Sequence, residues 1–463
     1  MLMHNLFKSA EPAVPVRGLH LDLKGVPPTP ARLLSLMDVA AAARYNAVLV
    51  EWEDTFPWTV DERFRCETAY TPEEVAAFHA KCADLGIEVI PLVQCLGHME
   101  TPLTVPDYRA LREVPHLSNV LNPLAPGARD LVQAMVDDVI ALTPGIAYFH
   151  LGGDEAWTFG SHPDTKAFIE PHGKAALYMR HVEPILDSLN ERGVRPILWH
   201  DMMVDWDAEA LERLGAKADL LVWGYRGHPD QTTGKHRTAV SERFLQHGVR
   251  VWGGTAYKGA DGLDADRPNL EQRRTNGIGW AEVAKRLGAK GVFATAWSRY
   301  ATHTVQCEPI DACLDFLVAM GVWLHDAADV EGGLDAAAEA LEEIGERGRF
   351  AACRDAMADL SIAREKGWSA TRRARQAVAC EQQDPRRRGF GQATIQCEAL
   401  RVATTNAEKA AEAARSAFDG LIAPVWIERY LGERIAPLRD ELAEIAPLAE
   451  ALEPEIYEKV YDQ

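Results

Sequence analysis

Up to about residue 325, short runs of branched apolar residues alternate with amphipathic stretches. The runs fall at 17–23, 47–53, 87–93, 146–151, 195–200, 219–223, 249–253 and 291–297. Between them, segments such as 31–45, 72–85, 128–142 and 175–192 repeat apolar side chains at helical spacing. Leu85-Gly86, Arg192-Gly193 and His247-Gly248 place glycine where a helix should stop and the next strand begin. Eight strand candidates within about 300 residues, each followed by a helix or long loop, predict an α/β fold of the (β/α)8 TIM-barrel type. The rival is a doubly wound open sheet. In its dinucleotide-binding form it would carry Gly-x-Gly-x-x-Gly after the first strand, where this chain has Gly25-Val26-Pro27-Pro28.

Beyond residue 325 the pattern changes to Ala, Glu and Arg with few β-branched runs. Segments 333–346, 351–367, 393–422 and 424–452 read as long amphipathic helices, broken by the turn-rich Gln382-Gln383-Asp384-Pro385. The expected division is a catalytic barrel at 1–325 and a C-terminal α-helical domain at 326–463. That second domain would be a packing partner for the barrel or an oligomer surface, a homodimer being the simplest assembly.

Composition narrows the partners. The 463 residues are 47% hydrophobic and 25% charged, ordinary values for a folded protein, which excludes wholesale disorder. A net charge of −20 repels phosphate backbones and anionic lipid, so nucleic acid and membrane surfaces are poor partners. No apolar run approaches the ~20 residues that cross a bilayer, and the N-terminus shows no secretory signal. The eight cysteines form no Cys-x-x-Cys pair, which fits reduced thiols in a cytoplasmic protein better than a zinc or redox motif.

In a barrel, chemistry sits at the C-terminal ends of the strands. Those ends offer Arg17, His20, Asp22 and Lys24; Glu51, Glu53 and Asp54; Gln94 through His98; and His150 through Trp157. The second half offers Trp199, His200 and Asp201; Trp223 and Tyr225; Trp252 and Tyr257; and Trp297, Arg299 and Tyr300. One tryptophan at each of the last four strands is a high density for one rim, and indole faces suit a sugar ring as well as barrel packing. The strongest local signal is Asp154-Glu155. Neighbouring strand residues point to opposite faces, so the two converge only if the chain leaves strand geometry, which Gly152-Gly153 permits. Paired carboxylates repel, and one is pushed toward the protonated form that a general acid needs.

His150-Leu151-Gly152-Gly153-Asp154-Glu155 resembles the signature of glycoside hydrolase family 20, the β-N-acetylhexosaminidases, in the hexosaminidase D branch. Supporting stretches are Arg17-Gly18-Leu19-His20-Leu21-Asp22, Glu51-Trp52-Glu53-Asp54, Gln94-Cys95-Leu96-Gly97-His98, Ala296-Trp297-Ser298-Arg299-Tyr300 and Gln306-Cys307-Glu308. The resemblance implies a retaining, substrate-assisted hydrolase of terminal β-linked GlcNAc or GalNAc, in which the 2-acetamido oxygen attacks the anomeric carbon to give an oxazolinium intermediate. It gives Glu155 the role of general acid/base, Asp154 that of orienting the acetamido N–H, and Tyr257 that of donating to the acetamido oxygen. It assigns sugar hydroxyls to Arg17, a His/Asp pair near the acid to His98 and Asp54, and pocket walls to Trp199, Trp223 and Trp297. Where the family has Trp-x-Glu on strand 8, the chain has Trp297-Ser298-Arg299, and Gly259 stands where a carboxylate commonly follows the strand-7 tyrosine. Glu308 is therefore expected to take the 4- or 6-hydroxyl.

The residues agree on one point independently. The expected strand 7 carries no carboxylate to act as a protein nucleophile. No metal or organic cofactor is expected. The competing readings are a metal-dependent amidohydrolase built on His20, Asp22 and His200, and a sugar-binding barrel without activity.

Overall fold

The computed structural model describes residues 3–262, 264–299 and 304–452. Eight parallel strands close into a barrel in chain order. They are β1 (Val16–Asp22), β2 (Ala47–Glu51), β3 (Glu88–Leu92), β4 (Tyr148–His150), β5 (Arg195–Trp199), β6 (Asp219–Trp223), β7 (Val251–Lys258) and β8 (Gly291–Ala296). Closure comes from β1 pairing with both β2 and β8. The expected barrel is borne out.

Period-two alternation explains what fills it. Ala47 and Leu49, Ile90 and Leu92, Ile197 and Trp199, Leu221, Trp252 and Phe293 form one buried cluster. These are same-face positions of successive strands, and Trp223 and Trp297 pack partly buried against them. The same face continues upward as Glu51, Gln94 and Trp223, so an apolar plug passes directly into a polar mouth.

Local signals set the surrounding helices. Helix Pro30–Ala42 starts with Thr29 accepting from Arg32 N–H and proline in the first turn. Helix Pro72–Asp84 starts with a Thr71/Glu74 capping box. Gly86, Gly193 and Gly248 all have positive φ, as helix-ending glycines should.

Two boundaries differ from the sequence expectation. The strand-7 run at 249–253 is only the first part of a longer element: β7 runs from Val251 to Lys258, wholly buried. The chain divides into the compact units Met1–Arg347 and Gly348–Gln463, later than residue 325. Helix Leu314–Asp326 is buried along nearly its whole length in the first unit. Arg32 further ties Asp311 and Glu346 to the barrel through buried ion pairs at 2.7 and 2.8 Å. The second unit has helices Arg347–Gln383, Gln392–Ala417 and Pro424–Glu450. Small residues at one-turn spacing, Ala370, Ala374 and Val378, pack there with Ala393, Cys397, Leu400 and Ile445. No helix among the described residues is long and apolar enough to cross a membrane, and no disulfide joins the eight cysteines.

Candidate active site

Asp154 and Glu155 follow β4 and both reach His98, which follows β3. The His98 Nε2 atom lies 3.7 Å from Asp154 Oδ2 and 3.4 Å from Glu155 Oε2. Convergence of adjacent side chains has a backbone cause. Glu155 has φ of 45° and His98 of 53°, left-handed values that side chains other than glycine adopt at a cost of about 1–2 kcal/mol. Glu53, just past β2, is the third such residue in the site, with φ of 50°. Two glycines make the packing possible. A Cβ on Gly97 would stand 2.0 Å from the Asp154 carbonyl oxygen, and one on Gly152 would stand 1.8 Å from Gln94 Oε1. Asp201, beyond β5, accepts the Glu155 N–H at 3.2 Å and holds the turned segment in place.

The electrostatics follow from burial. Burial pushes Asp154 up to about 8, with Asp201 and Glu155 adding repulsion and His98 opposing it. The carboxyl driven toward its protonated form is thus that of Asp154. Burial would lower His98, but Asp154 and Glu155 outweigh it and raise it to about 10, so the imidazolium persists at neutral pH. Burial also raises Glu53 to about 8 and Asp54 to about 6, the latter against the attraction of Arg299. Burial would raise Glu51 as well, yet Lys24, His20 and Gln94 together hold it low.

On the opposite side of the mouth stand the aromatic residues. Trp297 packs edge-on against His20 at 4.8 Å and tilted against Trp199 at 5.9 Å, with Lys24 Nζ 5.4 Å from its ring. Trp223 stacks on Tyr225 at 5.3 Å and 21°. The Tyr225 hydroxyl lies against Thr295 and Trp297 in the field of Asp154 and Glu155. Trp199 is fully buried in the barrel plug and supports Trp297 from below.

Several sequence expectations need correction. Arg17 lies at the opposite mouth. It is the second residue of β1, five before Asp22 or roughly 16 Å along the strand, and it donates to the carbonyls of Arg44, Val14 and Pro15. Tyr257 is fully buried and faces away from the mouth. Tyr257 sits at a register shift between Ala256 and Lys258, and the groups acting on it are Tyr45, Cys313, Asp311 and Glu308, which lie outside the barrel. Glu308 is also fully buried, and its Oε1 accepts the Gly259 N–H at 2.8 Å, so it braces the segment after β7. His98 pairs with Asp154 and Glu155, while the cation acting on Asp54 most strongly is Arg299. Tyr300 lies outside the described residues.

The structure brings in Lys24, Glu53, Asp201 and Tyr225, all named among the strand-end residues but given no role by sequence. The amidohydrolase ligands are dispersed. His20 faces Glu51 at 3.6 Å, Asp22 pairs with Lys24 at 2.9 Å, and His200 donates to the Lys235 carbonyl. Among the described residues, the set of three donor atoms that all lie within 4.8 Å of one another is that of His98, Asp154 and Glu155, which could share a cation.

The family model described as "Glycosyl hydrolase family 20, catalytic domain" matches residues 15–304. The chain belongs to this family. Hexosaminidase D of Bos taurus is 33% identical over 322 residues, spanning 67% of this chain and 92% of the bovine protein. Hexosaminidase D of Homo sapiens is 31% identical over 315 residues, spanning 66% of this chain and 64% of the human protein. The resemblance to the hexosaminidase D branch is borne out. Among solved structures, the chitobiase of Flavobacterium johnsoniae superimposes with a TM-score of 0.57 at 15% identity, over 95% of this chain and 72% of that one, a likeness of fold. The glycosyl hydrolase family 20 chain is accordingly a glycoside hydrolase of the β-N-acetylhexosaminidase type, with Asp154-Glu155 at the mouth where such a barrel works.

Proposed function

We propose that the chain removes terminal β-linked N-acetylhexosamine by retaining, substrate-assisted catalysis. The observation that carries this reading is an asymmetry across the mouth. Asp154 and Glu155 converge on His98, whereas β7 offers no carboxylate to attack the anomeric carbon. An internal nucleophile then has to come from the substrate, and a 2-acetamido oxygen is well placed to be one.

In this reading Glu155, partly open to solvent, protonates the leaving oxygen and later takes a proton from water. Asp154 accepts the acetamido N–H. That hydrogen bond favours the ionised carboxylate and counters the burial that otherwise keeps Asp154 protonated, so the charge appears when the oxazolinium develops. Tyr225 takes the role first given to Tyr257 and donates to the acetamido oxygen. Trp297 and Trp223 wall the acetamido pocket, and Lys24 replaces Arg17 as the cation near the sugar hydroxyls. None of the eight cysteines is in a disulfide, which favours a reducing compartment, in keeping with a cytoplasmic enzyme.

A thiazoline mimic of the cyclised intermediate tests the reading. It should inhibit competitively, and Tyr225→Phe should weaken it by about 10-fold while Tyr257→Phe leaves it unchanged. Absence of competitive inhibition would remove substrate assistance. The reverse ranking of the two tyrosines would restore the strand-7 assignment.

A further inference from the structure

Asp201 has a second partner besides the Glu155 N–H. The buried carboxylate places Oδ2 3.2 Å from that nitrogen and 3.9 Å from Lys235 Nζ. Lys235 comes from the loop after β6, and the strand ends fix that loop on either side of it. His200, the residue before Asp201, donates to the Lys235 carbonyl at 2.9 Å. His236, the residue after Lys235, meets the Trp223 carbonyl through Nδ1 at 2.7 Å and packs on the Trp223 ring at 4.3 Å. Two consecutive residues past β5 thus hold Lys235 at both ends, His200 at its backbone and Asp201 at its ammonium.

The ammonium has another neighbour. Its Nζ lies 5.1 Å from the centre of the Trp157 ring, a cation–π contact. Trp157 is 69% exposed, so core packing does little to fix it. Its N–H donates to the Glu155 carbonyl at 2.7 Å. Lys235 therefore reaches both flanks of Glu155, the acceptor of its N–H and the residue bonded to its carbonyl. Glu155 needs such holding, because its φ of 45° persists only where the surroundings over-determine it. Burial pushes the Asp201 carboxyl up, and the Glu155 N–H and the Lys235 cation pull hardest the other way. Without the cation, Asp201 moves toward a neutral carboxyl, a weaker acceptor for that N–H.

We propose that Lys235 is a positioning residue for the general acid. Its ammonium, shared between Asp201 and the Trp157 ring, keeps the left-handed Glu155 turn in the geometry that delivers a proton to the leaving oxygen. This deepens the proposed function and rests on Glu155 being the acid. Lys235 acts through Asp201 and Trp157 rather than on the sugar, so its effect belongs to the step that needs the proton.

The test compares kcat/KM, which reports the first bond cleavage, on two substrates. One is an unactivated N-acetylglucosaminyl disaccharide, and the other is an aryl N-acetylglucosaminide whose good leaving group needs little protonation. Lys235→Met keeps the apolar stem of a partly exposed side chain and removes its charge. It should lower kcat/KM by about 10-fold on the disaccharide and by less than about 3-fold on the aryl glycoside. Lys235→Arg should recover most of the loss. Added to Glu155→Gln, Lys235→Met should cost less than about 2-fold more on the disaccharide, since no acid is left to position. Undiminished disaccharide cleavage by Lys235→Met, equal proportional losses on the two substrates, or a full further loss in the Glu155→Gln background would each overturn the inference. A Glu155→Gln enzyme that cleaves the disaccharide like wild type would instead overturn the acid assignment on which it rests.

Discussion

At the N-terminal mouth of the barrel, Asp219 accepts from Arg195 at 2.8 Å, Arg250 at 2.9 Å and the Trp252 indole at 3.0 Å. Arg17 there spends its guanidinium on backbone carbonyls. At the C-terminal mouth, Asp154 Oδ1, Asp201 Oδ1, Asp54 Oδ1 and the Trp223 indole N–H are buried without a hydrogen-bond partner among the described residues. Glu53, His98 and Glu155 also hold left-handed backbone there. Buried polar atoms left unmatched cost about 1–3 kcal/mol each, and strained residues cost a comparable amount. One end of the barrel is thus satisfied and the other is kept ready for a ligand. On the proposed reading, the difference separates residues that hold the fold from residues that would meet the substrate.

Glu155→Gln is the sharpest way to break the comparison. It should reduce kcat on an unactivated disaccharide by roughly 10² to 10⁴, with thermal stability close to wild type. Wild-type-like turnover would place the acid elsewhere. The mirror-image change is Asp219→Ala at the other mouth. It leaves the buried Trp252 N–H and two arginines without their acceptor, and should cost about 2–3 kcal/mol in chemical denaturation. The folded fraction should keep its kcat, and a selective loss of turnover would erase the distinction between the mouths.

Glu53 tests the same idea through pH. Burial raises its folded pKa to about 8 from an ordinary 4.5, so between those values the folded chain holds a proton that the unfolded chain has released. Stability from this group is complete below pH 4.5 and declines as pH rises through 8. Glu53→Gln carries no such proton and can still accept from Thr101, the present partner of the carboxylate. Its melting temperature should exceed the wild-type value by at least about 2 °C at pH 8 and match it near pH 4.5. An equal offset at both pH values would mean that Glu53 is ionised throughout.

Much of this was legible in the sequence because period-two apolar runs and glycine stops are local signals. Strand β6 and helix Ala128–Leu142 fall where the pattern puts them, and Asp154-Glu155 stood out through the glycines that free it from strand geometry. What failed depended on direction and depth. Arg17 sits on the right strand at the wrong end. Tyr257 sits on the right strand facing the wrong way, because a register shift between Ala256 and Lys258 interrupts the alternation there, and a sequence pattern does not reveal it. Tyr225, a loop residue two positions past Trp223, has no periodicity to reveal it, and only the closed barrel brings it over Trp297. Glu308 is expected from sequence to take a sugar hydroxyl, yet the chain buries it against the Gly259 N–H, a long-range contact that no local pattern shows. The late division at Arg347 was hidden because helix Gly333–Ala340 shares the Ala- and Glu-rich pattern of the tail while packing on helix Leu314–Asp326 in the first unit.

The account stands most directly on one ratio, the kcat/KM of an aryl β-N-acetylhexosaminide over that of the matching aryl β-hexoside with a free 2-hydroxyl. With no carboxylate on β7 to replace the acetamido oxygen, the ratio should reach at least about 10³, the loss expected when an oriented intramolecular nucleophile is removed. Comparable rates on the two substrates would mean that a protein group attacks the anomeric carbon, and would contradict the assignment of Asp154, Glu155 and Tyr225 to a substrate-assisted site.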